Sequence, residues 1–294
     1  MTEQEFEELL QSISSNTYTS NHLEVVVRNV NGDTDGDTII IDDDRTLLLT
    51  EAIKKNTYIT KLDLSFNDIT DIGAIAVASI KKLEELILYG NQVKIDGAVA
   101  LAQSDLRTLD LGSNAFLKDL ELAKKLEVIN YFIQNKTITD LNLDYCIFSN
   151  EVVAELIKGN KVLKSLRLAD NNLSDDCLKF LSSNNVLENL FLSSNSITDN
   201  GIEYILQNKT LKNINLGFNQ LTIEGAKYLI GGSLDQVAIW NNDIPLETLH
   251  QFEYAFEQGK QIRNMIAVGE LIVENYDYDY NSTDLTGNLS QDDL

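Results

Sequence analysis

The sequence predicts an α/β solenoid, in which short parallel strands form a concave sheet and helices cover the convex side of a right-handed stack. The first observation is the frame L-x-x-L-x-L-x-x-N-x-I, whose clearest copy is Leu187–Ile197. The second is its recurrence, because eight copies start at positions 59, 83, 106, 138, 163, 187, 211 and 234. Successive starts are 23 to 25 residues apart, except for one interval of 32. A repeat of this period indicates a single elongated array.

Each copy of the frame predicts a strand followed by a turn. The L-x-L core places its leucines inward and the intervening residues outward. The amide at the ninth position is expected to bond backbone groups where the chain leaves the strand. The asparagines at this position are Asn67, Asn91, Asn114, Asn171, Asn195, Asn219 and Asn242. In the fourth copy Cys146 takes the place of asparagine.

A helix is predicted after each turn. The expected helix N-caps are Thr70, Ser174, Thr198 and Thr222. The glycines that should let these helices approach the strands are Gly73, Gly97, Gly201 and Gly225. The asparagines suited to left-handed C-terminal caps are Asn56, Asn135, Asn160, Asn184 and Asn208. In the long third unit, the helical pattern covers 117–135 and exceeds its neighbours by about two turns.

This combination resembles the leucine-rich repeat of the ribonuclease-inhibitor type over residues 56–244. Cysteine is a known alternative to asparagine in that pattern. The units here are shorter than is usual for the type. The resemblance implies a horseshoe of strands and helices that acts as a scaffold for binding other proteins.

Residues 1–55 are predicted to form an N-terminal cap. The apolar spacing in 1–15 favours a helix. The β-rich stretches 22–30 and 38–41 flank a turn-forming cluster and predict a hairpin. Residues 45–55 then read as the helix of a degenerate repeat. A cap is needed because the end of a repeat stack exposes apolar edges.

The repeats end at residue 244, and two further segments follow. Residues 245–275 are predicted to form a helical segment that covers the end of the stack, with Pro245 in its first turn. Residues 276–294 are acidic and polar and lack periodicity, which predicts a disordered tail.

The net charge of −23 is concentrated at the two ends of the chain. Residues 1–45 hold eleven acids and two bases, and 270–294 hold seven acids and no base. Such a charge disfavours binding to nucleic acid or anionic membrane. No run of about eighteen apolar residues occurs, so no membrane span is expected. The two cysteines, Cys146 and Cys177, do not suggest a disulfide framework or a metal site.

The outward positions of the strands form the predicted binding surface, and aromatic side chains are frequent there. Exposed aromatic and arginine side chains are typical of interface hot spots. The predicted partner-binding residues are Phe66, Tyr89, Tyr145, Arg167, Phe191, Phe218 and Trp240. Alternatively, some aromatics pack on one another. Arg167, near Asp144 and Asp170, either anchors an acidic group of the partner or forms an ion pair within the face.

No catalytic residue, cofactor or metal is predicted. The stretch 31–42 loosely matches a calcium-binding loop, but its last position is Asp42 instead of glutamate and its flanks are β-like, which favours an acidic turn. His22 and His250 are far apart in the sequence and lack neighbours suited to catalysis. Cys177 is expected to lie on a convex-side helix and to be buried in the protein core.

We therefore expect a monomeric, non-enzymatic module that binds a partner protein. The polar, acidic tail resembles the C-terminal signals of type IV secreted effectors such as those of Legionella. This resemblance implies a virulence effector, secreted into the host cell cytoplasm, that binds a host protein; the alternative location is the bacterial cytoplasm. The alternative function is regulation of a small GTPase, because the Ran GTPase-activating protein shares repeats of this type and an acidic C-terminal stretch.

Overall fold

The computed structural model describes residues 1–25, 39–114, 116–230, 234–245, 248 and 265–266. Two compact units make up the chain, Met1–Cys146 and Ile147–Leu294. Short parallel strands alternate with helices in each unit, which confirms the predicted α/β solenoid. Each strand has no more than three residues, as expected where the chain turns immediately after the L-x-L core.

The described part of the first unit carries five strands. Its elements are α1 (Glu3–Ser14), β1 (His22–Glu24), α2 (Asp43–Lys55), β2 (Lys61–Asp63), α3 (Asp71–Ala78), β3 (Glu85–Ile87), α4 (Ile95–Ala102), β4 (Thr108–Asp110), α5 (Leu122–Gln134) and β5 (Asp140–Asn142). The strands pair in parallel in chain order. The register aligns the fourth-position leucines Leu62, Leu86, Leu109 and Leu141 with Leu23 of β1.

The second unit repeats this arrangement. Its elements are α6 (Asn150–Gly159), β6 (Ser165–Arg167), two 3-10 helices (Asp175–Leu178 and Leu181–Ser183), β7 (Asn189–Phe191), α7 (Asp199–Gln207), β8 (Asn213–Asn215), α8 (Ile223–Ile230), β9 (Gln236–Ala238) and β10 (Met265–Ile266). Strands β6 to β10 pair in parallel in chain order. The predicted helix over 245–275 is therefore wrong at β10, and the rest of that segment lies almost entirely outside the described residues.

The core of each unit lies between the inward residues of its strands and the apolar sides of its helices. In the first unit, Leu86 and Leu88 are fully buried, as are Ala74 and Leu101 from the neighbouring helices. In the second unit, Leu190 and Leu192 are equally buried. Burial of a leucine side chain stabilises the fold by roughly 1.5–3 kcal/mol, and the frame supplies such residues in every repeat.

The ninth-position asparagines form a hydrogen-bonded ladder in both units. Asn91 Nδ2 donates to the carbonyl oxygens of Leu64 (2.9 Å) and Leu88 (3.1 Å), one in the preceding repeat and one in its own. Its Oδ1 accepts from the backbone amide of Ile69 (3.0 Å). Cys146 occupies the same position, and its Sγ donates to the carbonyl oxygen of Leu111 (3.2 Å). The predicted ladder, with its cysteine member, is confirmed.

A second asparagine ladder replaces the predicted left-handed caps. Asn208 has φ −70° and ψ 142°, which is extended backbone. Its Nδ2 donates to the carbonyl oxygens of Leu181 (2.6 Å) and Asn184 (2.7 Å). Its Oδ1 accepts from the backbone amides of Thr210 (2.8 Å) and Leu211 (2.7 Å). Asn56, Asn135, Asn160 and Asn184 have similar extended φ and ψ values. The cap prediction was wrong because the amide bonds the adjacent repeat.

The glycines at the helix starts accommodate an aspartate of the preceding repeat. Asp71 Oδ1 accepts from the backbone amides of Lys94 (2.8 Å) and Gly97 (2.9 Å). A Cβ atom on Gly97 would lie only 2.7 Å from that oxygen. The same relation holds for Gly73 with Asp43, Gly201 with Asp175 and Gly225 with Asp199. A side chain is thus excluded by this aspartate and, at Gly73, Gly97 and Gly201, also by core side chains at similar distances.

The predicted helix starts are largely confirmed. The hydroxyls of Thr70, Thr198 and Thr222 accept hydrogen bonds from backbone amides two residues later. Ser174 differs, because it precedes a 3-10 helix and its Oγ accepts from Asn150 Nδ2 (2.8 Å). Helix α5 begins at Leu122, later than predicted, and has thirteen residues compared with eight in α4.

The N-terminal region departs from the prediction at the hairpin. The predicted first helix is confirmed as α1. Strand β1 pairs in parallel with β2, so it is the strand of the degenerate repeat, whose helix is α2. Ile39 to Ile41 form no strand, and residues 26–38 lie outside the described residues.

We predict that Asn208→Ala lowers the free energy of unfolding by roughly 3 kcal/mol, because it leaves several buried backbone groups without partners. Urea unfolding followed by circular dichroism measures the change. Asn200→Ala is the matched control, because Asn200 is exposed at the start of α7. Equal unfolding midpoints for the two variants would contradict a structural role for the second ladder.

Candidate functional site

The candidate site is the strand face opposite the inward leucines, which we call the open face. Residues at the third, fifth, seventh and eighth positions of each frame lie on this face or at its edge. The fifth, seventh and eighth positions were predicted to be outward from the sequence, whereas the third position was not. The third-position residues are Lys61, Glu85, Thr108, Asp140, Ser165, Asn189, Asn213 and Gln236. Alternation from the inward leucine at position four could have identified them.

Fifth-position side chains close a local turn at the end of several strands. Asp63 Oδ1 accepts from the backbone amide of Ser65 (2.8 Å). Asp110 Oδ1 accepts from the amide of Gly112 at the same distance. Asn142 Oδ1 makes the equivalent bond in β5 at 2.9 Å, and Asn215 makes it in β8. Aspartate and asparagine therefore serve this turn equally well.

Four carboxylates of the first unit are almost completely buried on its open face, namely Asp63, Glu85, Asp110 and Asp144. Asp63 is 4% exposed, and burial raises the pKa of its carboxyl group, although hydrogen bonds from Ser65 act in the opposite direction. Glu85 is 7% exposed, and its Oε2 forms an ion pair with Lys61 Nζ (2.8 Å). The second oxygen, Oε1, is buried and has no hydrogen-bond partner in the described part of the chain.

The three predicted aromatics of the first unit differ in exposure. Phe66 is 40% exposed and meets the ring of Tyr89 edge-on at a centroid distance of 5.3 Å. Tyr89 itself is buried, and its ring covers Gly112 so closely that a Cβ atom there would lie 2.5 Å from it. Tyr145 is half-buried. The alternative that some aromatics pack on one another therefore holds for Phe66 and Tyr89.

The second unit places its predicted residues along β6 to β9 and the turns that follow. The Arg167 guanidinium lies over the ring of Phe191 at 4.9 Å, a cation–π contact. Phe218 is 49% exposed. The ring of Trp240 covers Gly217, and its Nε1 is buried without a hydrogen-bond partner among the described residues. Arg167 and Asp144 belong to different units. The ion-pair alternative therefore stays a prediction.

Eighth-position residues of all eight repeats have left-handed backbone, with φ between +50° and +66°. They are Phe66, Gly90, Ser113, Tyr145, Asp170, Ser194, Phe218 and Asn241. The regular turn after the strand requires this conformation, and glycine and asparagine adopt it readily. A bulky aromatic residue there costs roughly 1 kcal/mol. Phe66 has a compensating contact with the Tyr89 ring, so Phe218, whose ring is 49% exposed, is the residue that stability explains least.

Both cysteines of the chain are buried. Burial raises the pKa of both Cys146 and Cys177 to about 12, which keeps the thiols protonated and unreactive. Cys177 is a core residue, as predicted, but on a 3-10 helix. Asp42, at the last position of the loose match to a calcium-binding loop, caps α2 and pairs with Arg45 (2.9 Å). Residues 31–38 of that loop and His250 lie outside the described residues.

Metal-ligand clusters and membrane-spanning helices are both absent from the described residues. They contain no group of three or more histidine, cysteine, aspartate or glutamate side chains that could hold a metal ion. Within the same part of the chain, no helix combines the length and apolar character needed to cross a membrane.

Comparison with known protein families gives one match. The family described as Leucine Rich repeat matches residues 55–78, 159–182, 183–206 and 207–229. The chain contains leucine-rich repeats. The matched stretches correspond to the first, fifth, sixth and seventh copies of the frame, and the structure shows the same strand in the four unmatched copies. No curated protein matches the chain.

We predict that Asp63→Asn becomes more stable relative to the wild type as pH rises. The carboxyl pKa of Asp63 is raised in the folded state, so ionisation above the unfolded-state value of 3.8 weakens the wild type progressively. Asparagine keeps the turn bond to Ser65 and does not ionise. Chemical unfolding at pH values from 3 to 8 measures the difference.

The reciprocal variant Asn142→Asp is the matched comparison, because it places a carboxylate at the fifth position of another repeat. In the wild type, Asn142 Nδ2 donates to Asp110 Oδ2 (2.8 Å), so the variant would set two carboxylates side by side. It is expected to be less stable than the wild type at neutral pH. If Asp63→Asn lost stability relative to the wild type as pH rose, the proposed cost of the buried charge would be refuted.

Proposed function

We propose that this chain is a non-enzymatic module that binds a partner protein through the open face. Leucine-rich repeats generally mediate protein–protein interaction, and the chain carries such repeats in both units. The ladders, the buried leucines and the aspartate–glycine contacts form the framework that presents this face. The residues of the open face vary from repeat to repeat, which is the property a specific binding surface needs.

The observation that carries the proposal is the presence of phenylalanine in the left-handed turn. Phe218 has φ +53° and is 49% exposed, although Ser194 and Asn241 satisfy the same turn in the neighbouring repeats. It therefore carries both a backbone cost and an exposed apolar ring. Contact with a partner offsets both terms, because binding buries the ring.

Neighbouring side chains extend this surface in the second unit. Phe191 and Trp240 are half-buried, and Arg167 is held against Phe191. Partly packed aromatic and arginine side chains lose little conformational entropy on binding, so they make effective anchors. Ser193 is half-buried near Phe191, whereas the ring of Trp240 covers Gly217.

The proposal extends to a bacterial effector that is delivered into the host cytoplasm and acts there on a host protein. Support comes from the sequence of residues 276–294, which is acidic, polar and rich in small residues like type IV secretion signals. The repeat framework is similar to the ribonuclease-inhibitor type in its strand, turn and helix order. Binding and delivery are separable in this proposal, since they use different segments.

We predict that Phe191→Ala/Phe218→Ser weakens capture of the partner about tenfold or more, because two anchor rings are lost. The full chain is immobilised, and partners retained from host-cell extract are quantified by mass spectrometry. Tyr228→Ser is the control, since Tyr228 is 67% exposed but lies on α8. Unfolding curves verify that all variants fold.

Two outcomes would count against this function. Retention of the same proteins by the wild type and the Phe191/Phe218 variant, in equal amounts, would refute binding through the open face. Acceleration of GTP hydrolysis by a small GTPase on addition of the chain would instead support the regulatory alternative.

A separate prediction concerns delivery. Deleting residues 276–294 is expected to abolish translocation of an enzyme-tagged chain into host cells, while capture of the partner by the purified variant stays unchanged. A scrambled tail of the same composition is the control for charge alone. Undiminished translocation of the truncated chain would exclude a C-terminal signal.

A further inference from the structure

We infer that the open face of the first unit binds a basic, arginine-bearing segment of the partner protein. This inference rests on the proposed function and adds the chemistry of the partner. It concerns the face formed by β1 to β5 in Met1–Cys146 alone.

The first argument is the charge of this face. Six acidic residues stand at its described outward positions, and they are Glu24, Asp63, Glu85, Asp110, Asp140 and Asp144. Lys61 is the one lysine or arginine at these positions. The corresponding positions of the second unit hold one acid, Asp170, and one base, Arg167. The acidity therefore belongs to the first unit's face and does not simply follow from the repeat pattern.

The second argument is that the fold does not require these charges. Asp63 and Asp110 bond the backbone two residues later, and neutral Asn142 makes the same bond in β5. At position 63, asparagine would therefore preserve the turn and avoid the cost of burying a carboxylate, whereas the second oxygen of Asp110 also accepts from Asn142 Nδ2 (2.8 Å). A charge retained at a cost to stability points to a role outside the folded chain.

Glu85 provides independent evidence for a ligand. Its side chain lies on the same face, in the strand between those of Asp63 and Asp110. More than nine-tenths of the residue is buried, yet Oε1 has no hydrogen-bond partner in the described part of the chain. Lys61 satisfies only the other oxygen. A buried carboxylate oxygen without a donor is costly, so an incoming donor at this position would be strongly stabilising.

The surroundings fit arginine better than other cations. Asp63 and Asp110 are separated by one strand, which corresponds to about 10 Å, whereas the oxygen ligands of a calcium ion lie about 2.3–2.6 Å from it. Ile87 lies between them and is buried, so it offers an apolar floor for a methylene stem. The ring of Phe66 lies at the edge, packs against Tyr89 and is 40% exposed. Guanidinium groups combine several donors with a face that stacks on aromatic rings.

The test uses the full chain and a short fluorescein-labelled peptide in which arginines alternate with serine and glycine. Binding is measured by fluorescence polarisation at about 0.05 M and 0.15 M salt, because screening separates contact from long-range attraction. We expect Asp63→Asn/Glu85→Gln/Asp110→Asn to weaken peptide binding about tenfold or more. A peptide with citrulline in place of arginine should not bind, and a lysine peptide should bind more weakly than the arginine peptide.

The matched control removes the same charge elsewhere in the first unit. Asp96, Asp105 and Glu121 are exposed and lie off the open face, so their triple amide variant should change the dissociation constant by less than about twofold. Thermal unfolding verifies that both triple variants fold. Equal weakening by the two triple variants would overturn the inference, because binding would then report only net charge. Displacement by spermine at equal charge would also overturn it, in favour of small polycations.

The design separates this inference from the proposed function. If the arginine peptide fails to bind while capture of the partner still depends on Phe191 and Phe218, the basic segment is refuted and the binding module stands. If capture is also insensitive to those two residues, the proposed function falls as well.

Discussion

Satisfying the backbone where each strand ends is the constraint on which this structure depends. Strands of three residues leave amide and carbonyl groups exposed to the core immediately after the L-x-L segment. The ninth-position asparagine solves this in each unit by donating to two repeats and accepting from one. The second asparagine ladder does the same where the helices end. Within each unit both ladders connect neighbouring repeats, so the geometry of one repeat determines the position of its neighbour.

This framework separates the residues that build the fold from those that are free to vary. Leucines, ladder asparagines and the helix-start glycines are set by contacts between repeats. The open face is less constrained. Two kinds of residue there make the fold less stable than another residue at the same position would. Phenylalanine stands in a left-handed turn, and carboxylates stand where asparagine would serve. In each unit these departures lie on the open face, which is why we assign function to it.

Sequence periodicity predicted most of the fold, because one frame encodes strand, turn and ladder at fixed spacing. The family match, by comparison, covers four of the eight copies. Errors arose where contacts between repeats decide the outcome. Asn208 suits a left-handed cap by local propensity, but its amide bonds the preceding repeat. Gly97 packs close to Ala74 and Val93 as predicted, but the contact with Asp71 in the preceding repeat was not foreseen. Strand β1 was assigned to a hairpin because its stretch lacks the complete frame.

The candidate site was predicted less completely than the fold. Aromatic residues were recognised at outward positions, but the sequence does not show that Tyr89 packs over Gly112. Third-position residues were overlooked, and with them Glu85, whose unpaired oxygen emerges only from the packed structure. Burial and side-chain direction depend on neighbouring repeats, so a frame read one repeat at a time does not reveal them.

Hydroxyl-radical footprinting of the full chain, with and without its captured partner, tests the central claim most directly. Oxidation of exposed aromatic side chains is read by mass spectrometry, residue by residue. Binding through the open face predicts protection of Phe66 and Phe218, with Tyr228 on α8 unchanged. Protection of Tyr228 together with unchanged oxidation of the two phenylalanines would contradict the account, because it would place the partner on the helices.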